Sequence, residues 1–206
     1  MISEIFENVK TYLPKYLSDT QLKKLMADLQ MLYGHINTSA LYAPRVPSDE
    51  MLGQGDGIAN LLVINLPDVL INPKPSLIIS NTCDNSLENV RHLPSSICYC
   101  PIFNLEKYGR ALLEDGENSQ SVADHLAAIR RQELISVFYL PVGGRLAQES
   151  LVFLDKINSC NSDYVDRSEL KNTRIFRLGN AGFYLFLLKL SIRMTRIQEG
   201  LDRDKI

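Results

Sequence analysis

The four cysteines, Cys83, Cys98, Cys100 and Cys160, show no C-x-x-C spacing, so the usual zinc frameworks are missing. Neither a Gly-x-Ser-x-Gly elbow nor a His-Glu-x-x-His helix occurs. Gly53-Gln54-Gly55-Asp56-Gly57 leads into an apolar, β-branched run and not into a helix. It therefore lacks the helix N-terminus that receives a nucleotide's phosphates, and kinase-like and Rossmann readings fall away. No internal repeat or low-complexity tract is present. The most apolar stretch, Gly182–Ile192, is interrupted by Lys189 and followed by Arg193 and Arg196, too short and too charged to span a bilayer. A strong charge imbalance is also absent. With 22 Lys+Arg against 24 Asp+Glu, the net charge is −2, so a nucleic-acid site would need a local basic patch.

What is present describes an ordinary globular chain. The 206 residues are 45% hydrophobic and 22% charged, enough to bury a sizeable core. Met1–Glu7 is acidic and amphipathic, without the basic-then-apolar order of a signal peptide, and the expected location is cytoplasmic. The cysteines then read as small buried hydrophobes in a reducing compartment. A zinc site from Cys83, His92 and Cys98 or Cys100 is the competing reading.

The pattern predicts an α+β fold in one domain, 1–206. A helical arm covers 1–42. Ile2, Ile5, Phe6 and Val9 form a first helical face that ends before Pro14. Ser18 and Gln21 have the spacing of a capping box, with Leu17 and Leu22 as a staple, and Leu22, Leu25, Met26, Leu29, Leu32 and Tyr33 follow as one face. Strands are expected at Ile58–Leu66, Ser76–Asn81, Ile97–Ile102, Leu134–Leu140, Leu151–Leu154 and Thr173–Leu178. Pro67–Pro73 reads as a loop, and Thr82–Ser96 as polar and irregular. A helical insert, 104–131, divides at the acidic tip Glu114–Ser119. A last helix begins at Asn180, and Leu201–Ile206 is a charged tail.

Three features in order carry a resemblance. Gly55-Asp56 opens a strand. About seventeen residues on comes a basic-proline pair with a β-run ending in serine, Lys74-Pro75-Ser76-Leu77-Ile78-Ile79-Ser80. Then Ile97-Cys98-Tyr99-Cys100-Pro101-Ile102 closes a strand on proline. This set resembles the MazF/PemK (Kid/CcdB-like) toxin family, and it implies a small SH3-like β-barrel made from 53–102 and 134–206, with the N-terminal helices and the 104–131 insert as additions. The resemblance implies an endoribonuclease-like activity that needs no metal or cofactor. Its family catalytic pair is an arginine before the proline and a threonine or serine after the third-strand proline. Here those positions hold Lys74 and Ile102-Phe103, so the pair is largely absent. Lysine offers a phosphate a point charge without arginine's planar fork, and Ile102 and Phe103 offer neither donor nor base.

A replacement set can be drawn from the segment after the second strand. Lys74, Arg91, His92 and Asp84 are the candidate catalytic residues, supplying phosphate clamp, base and orienter. Ser80, Asn81 and Thr82 are the candidate substrate-binding residues. Asn81–Asn85 also reads as a strand exit whose side chains bond to the loop backbone. Asp56 reads first as a turn former, His125 as a structural residue of its helix, and His35 as a partner of helix-end carbonyls. Exposed aromatics interleaved with basic residues, the mark of a single-strand platform, are not evident. The expected role is that of a divergent toxin or phage-defence protein acting on or binding RNA. The alternative is a non-catalytic module of a toxin–antitoxin or defence complex, and a thiol or metal enzyme using Cys83 and Cys98/Cys100 is a third reading. Expected partners are RNA, an antitoxin or defence-complex protein, or a second copy of the chain. No membrane partner is expected.

Overall fold

A computed structural model describes residues 18–32, 40–67, 70–89, 92 and 95–195. The helix expected before Pro14 and the charged tail from Leu201 lie outside the described residues. Helix α1 (Asp19–Leu32) starts as the sequence predicts. The Ser18 backbone N–H donates to Gln21 Oε1 (3.0 Å), and the Gln21 N–H donates back to Ser18 Oγ (3.4 Å). In chain order there follow β1 (Asp56–Asn65), β2 (Leu70–Ile78), α2 (Thr82–Asn85), β3 (Ser96–Asn104), α3 (Leu105–Glu114) and α4 (Ser119–Arg130). Then come β4 (Val137–Leu140), β5 (Ser150–Phe153), β6 (Asn158–Asn161), a 3-10 turn at Ser162–Tyr164, α5 (Leu170–Thr173), β7 (Arg174–Arg177) and α6 (Asn180–Thr195).

The fold is α+β, with an antiparallel sheet ordered β4-β5-β3-β2-β1-β7 and β6 branching from β3. Strand β3 is its spine. One edge of β3 pairs with β2 through Tyr99–Pro101, while the other edge takes β6 at Ser96–Tyr99 and β5 at Ile102–Asn104. Successive residues of these strands alternate faces. Leu77, Cys100, Ile102, Phe138, Leu140 and Val152 therefore meet Leu25 of α1 and Leu185 and Phe186 of α6 in one core. On the opposite face, Ile78, Ile97 and Tyr99 join Ile58 and Leu61, and further along Val137, Tyr139 and Leu151 pack under α3 and α4 with Leu105 and Ile129. Burial on both faces explains the uninterrupted apolar run of β4.

Several boundaries differ from the sequence reading: β4 starts at Val137 and not Leu134, and Thr82–Asn85 is a helical turn within a segment expected to be irregular. Strand β2 begins at Leu70 and ends at Ile78, so part of the expected Pro67–Pro73 loop is strand and Ser80-Asn81 is not. The prolines misled because they usually interrupt a ladder. Here β3 pairs only with Ser76–Ile78, so Pro73 and Pro75 lie where β2 has β1 alone for a neighbour. Strand β6, Asn-Ser-Cys-Asn, has no apolar pattern and was not expected. The sheet is also open and not the closed barrel that was expected. Two side chains cross the gap between β1 and the β3–β6 pair. Tyr99 Oη donates to the Leu62 carbonyl, and the Ile64 N–H donates to Asn158 Oδ1 (2.9 Å).

The buried carboxylate of Asp56 organises the start of β1. Its Oδ1 accepts from Arg177 Nε (2.7 Å), and its Oδ2 accepts from Arg174 Nε (3.1 Å), Arg177 Nη2 (2.9 Å) and the Gly53 N–H (2.9 Å). Arg174, itself fully buried, also donates to the carbonyls of Pro47 (2.6 Å) and Met51 (2.6 Å). Asp56 is thus the turn residue the sequence suggests and also an ion-pair hub joining the 47–53 segment, β1 and β7. Gly55 enters this turn at φ 85°, a left-handed conformation that glycine adopts without strain.

A second buried charge sits in the core. Lys189 of α6 donates to the Gln132 carbonyl (2.9 Å) and to its Oε1 (2.8 Å), and burial pulls its ammonium down from 10.5 to about 7. The Gln132 side-chain amide in turn donates to the Tyr139 carbonyl (2.8 Å) and accepts from the Tyr139 N–H (3.1 Å).

Asp56→Asn leaves two guanidinium groups facing a neutral amide, and urea unfolding should show a loss of about 3–5 kcal/mol. A midpoint unchanged from wild type would remove Asp56 from its organising role. For Lys189, the unfolded chain binds a proton between pH about 7 and 10.5 that the folded chain does not. Stability therefore rises with pH across that window, by up to about 1.4 kcal/mol per unit. The difference between wild type and Lys189→Met, followed by thermal melts from pH 6 to 10, should change with that slope above pH 7.

Candidate functional site

The β2–β3 ladder brings together the two positions singled out by the sequence motifs. Ser76 faces Pro101 across the ladder, so the preceding Lys74 and the following Phe103 emerge at the same end of it. Lys74 is exposed there, since β3 supplies no ladder partner beyond Ser76. Ile102 points the other way and is buried in the core with α6, leaving Phe103 as the residue beside Lys74.

Lys74 and Phe103 form the shared wall of two adjoining grooves. One, of about 560 Å³, runs along the β1–β2 hairpin past Val63, Asn65 and Asn72 to Lys156 and Asn158. The other, of about 550 Å³, runs under α3 past Pro75, Asn104, Lys107, Tyr108 and Gln148. Lys74, Lys107 and Lys156 are exposed cations on these walls. Among the described residues the one lining carboxylate, Asp155, accepts from Arg193 Nη2 (2.7 Å), which offsets its charge. An acidic chain thus carries a local cationic patch, because three lysines far apart in sequence converge on one face.

Aromatic rings accompany the lysines. Phe153 of β5 meets Phe103 edge-on (centroids 5.6 Å, 67°) and Tyr108 edge-on (5.5 Å, 72°). Lys156 Nζ lies 5.9 Å from the Phe153 ring centre. Tyr108, on the groove wall, holds its Oη 3.1 Å from His125 Nε2, joining α3 to α4, and burial pushes the Tyr108 phenol up. The interleaving of basic and aromatic residues that is missing along the chain is therefore present in space. It arises because β3 pairs with β5, aligning Phe103 with Leu151. Lys107, Tyr108 and Lys156 escaped the sequence reading, since no short motif links them to Lys74. The basic-proline pair was the only local signal.

The other candidate residues lie elsewhere. Lys74 and Ile78 lie four residue steps apart along the strand, about 13 Å, before the chain reaches Ser80. Neither groove is lined by Ser80, Asn81, Thr82, Asp84 or His92. Ser80 Oγ donates to Asn85 Oδ1 (2.7 Å) and accepts from the Cys98 N–H (3.2 Å). Asn81 Oδ1 accepts from the Cys83 N–H (2.9 Å), and Thr82 Oγ1 accepts from the Gln54 N–H (2.9 Å). These bonds match the strand-exit reading of the segment. Asp84 lies within α2, His92 is exposed, and Arg91 is outside the described residues. The turn is held from beneath by the buried Arg167, whose Nη2 donates to the Asn85 carbonyl (3.0 Å) and to Ser162 Oγ (2.9 Å).

Among the described residues, no three His, Cys, Asp or Glu side chains gather closely enough to hold a metal ion. All four cysteines are free thiols, and burial pushes Cys100 up to about 12, which keeps it a thiol at neutral pH. No helix among the described residues is long and apolar enough to cross a membrane. No protein-family model matches this chain, and no curated protein matches it in sequence.

Proposed function

We propose that this chain is a divergent MazF/PemK-like protein of a toxin–antitoxin or phage-defence system that binds single-stranded RNA in the Lys74 groove. The observation carrying this reading is the β2–β3 register, which sets the basic-proline position beside the residue following the Pro101 pair. The family's catalytic positions are expected to lie close together across those two strands, and the shared groove wall of Lys74 and Phe103 supports that arrangement. The two side-chain bonds from Tyr99 and Asn158 to β1 support an SH3-like barrel closed by side chains where ladder bonds are missing. Three lysines supply phosphate contacts, and the ring edges of Phe103 and Tyr108 supply surfaces against which unstacked bases can pack.

One observation favours the alternative, a protein-interaction module. On the β1–β2 hairpin, Ile64 and Ile71 pair directly and are 48% and 54% exposed, and Leu66 at the tip is 73% exposed. Such an apolar stripe is larger than isolated surface residues require.

RNA binding is tested by fluorescence anisotropy with a labelled single-stranded oligonucleotide across a salt series. Lys74→Glu and Lys107→Glu should each weaken binding about tenfold or more and lower the log–log salt slope by roughly 0.7–1. Because both lysines are exposed, melting temperatures should stay at wild-type values. Unchanged affinity and slope in both variants would move the function away from this groove.

A further inference from the structure

The helical pair α3–α4 does more than cover the sheet. It brings a phenol to the wall of the Lys74 groove and an imidazole against that phenol, where Ile102 and Phe103 supply no acid or base. Tyr108 lines the groove with Lys74 and Lys107, and its Oη sits 3.1 Å from Nε2 of His125. The two rings are tilted by 51° with centroids 5.9 Å apart, so they meet through their polar atoms and not by stacking. Their positions are held from two sides. Phe153 braces the Tyr108 ring edge-on, and Gly109 lets α3 approach α4 so closely that a Cβ there would lie 2.8 Å from Leu126 Cδ1. Both Tyr108 and His125 are half-buried, so the pair is partly shielded yet keeps contact with solvent.

Resting on the RNA-binding reading above, we propose that Tyr108, coupled to His125, is the proton-transfer group of a metal-independent ribonuclease site whose phosphate clamp is Lys74. Transesterification of RNA needs a group to take the 2′-hydroxyl proton and a cation at the phosphate. The 2′-oxygen attacks the adjacent phosphorus while its proton passes to Tyr108 Oη, and the phenol's own proton passes to His125 Nε2. This requires the tautomer of His125 that carries its proton on Nδ1. The P–O5′ bond breaks, and the 5′-oxygen takes a proton from the Lys74 ammonium. The His125 imidazolium then restores that proton through water. The products are a 2′,3′-cyclic phosphate and a 5′-hydroxyl, with no net proton, electron or cofactor consumed. Because burial keeps the phenol protonated at neutral pH, Tyr108 acts by relaying a proton and not as a standing phenolate. His125 is a positioning and proton-accepting residue that acts through Tyr108. The helical pair would thus replace the chemistry lost at Ile102-Phe103.

The test uses the full chain and a labelled single-stranded RNA under single-turnover conditions, with chelator present and end groups identified by mass spectrometry. A 2′-deoxy version of the same oligonucleotide serves as the uncleavable control. Wild type should release 2′,3′-cyclic ends. Tyr108→Phe keeps the ring contact with Phe153 and should lower the cleavage rate by about 10²–10⁴-fold while leaving RNA affinity within about twofold. His125→Ala should lose rate comparably and regain part of it on adding imidazole, a rescue that a packing role would not give. Binding without cleavage by wild type would overturn the proton relay and leave the groove standing, as would Tyr108→Phe cleaving at the wild-type rate. Failure of wild type to bind RNA at all would remove both.

Discussion

The contact on which the rest of this structure depends is the buried carboxylate of Asp56 between Arg174 and Arg177. It fixes where β1 begins, and the register of β1 sets that of β2, because the two pair along nearly their whole length. Strand β2 then aligns β3 through only three residue pairs, and that alignment decides which side chains stand beside Lys74. A charge cluster at the start of β1 therefore governs the geometry of a groove that lies farther along the β1–β2 hairpin. A fully buried guanidinium and a second, partly buried one against one carboxylate is an expensive arrangement in a low-dielectric interior. It is tolerated because Arg174 also donates to backbone carbonyls of the 47–51 segment, so its donors are satisfied as well as its charge. The cluster thereby gives a proline-containing connection a defined path.

Much of this framework was legible in the sequence, for local reasons. The capping box at Ser18 and Gln21 is a three-residue signal, and the Gly-Asp turn before β1 is another. Strands such as β3 and β4 announce themselves by apolar content. What escaped needs information from far along the chain. The partners of Asp56 lie 118 and 121 residues away, and nothing near Arg174 or Arg177 marks them as its partners. Lys189 interrupts an apolar run, yet its ammonium ends on a glutamine in the turn between α4 and β4. Strand β6 has a turn-like composition and is a strand only because β3 has an unpaired edge there.

The candidate site divides along the same line. Lys74 was marked by its proline neighbour, and in the fold it shares a groove wall with Phe103, two residues after Pro101. Its companions could not be anticipated, because Lys107, Tyr108 and Lys156 belong to elements whose placement depends on β3 pairing with β5. The polar segment Ser80–Asp84 drew attention by its composition, whereas in the fold its hydroxyl and amide groups serve the loop that leaves β2. Polar residues clustered in sequence often satisfy a backbone that has left regular structure. Polar residues clustered in space but scattered in sequence are the better guide to a binding surface.

The Gln132 amide has a further consequence for how the molecule behaves in a crowded solution. Strand β4 is the last in its sheet, and a terminal strand offers its outer N–H and C=O groups to any passing chain. By bonding both the N–H and the C=O of Tyr139, one side chain occupies the middle of that template. With Lys189 anchoring the glutamine from the core side, the plug is part of the interior and does not swing away as a surface residue would. The sheet is thus protected against end-to-end growth into aggregates by an amide group, at a position where proteins more often use a charge, a proline or a bulge.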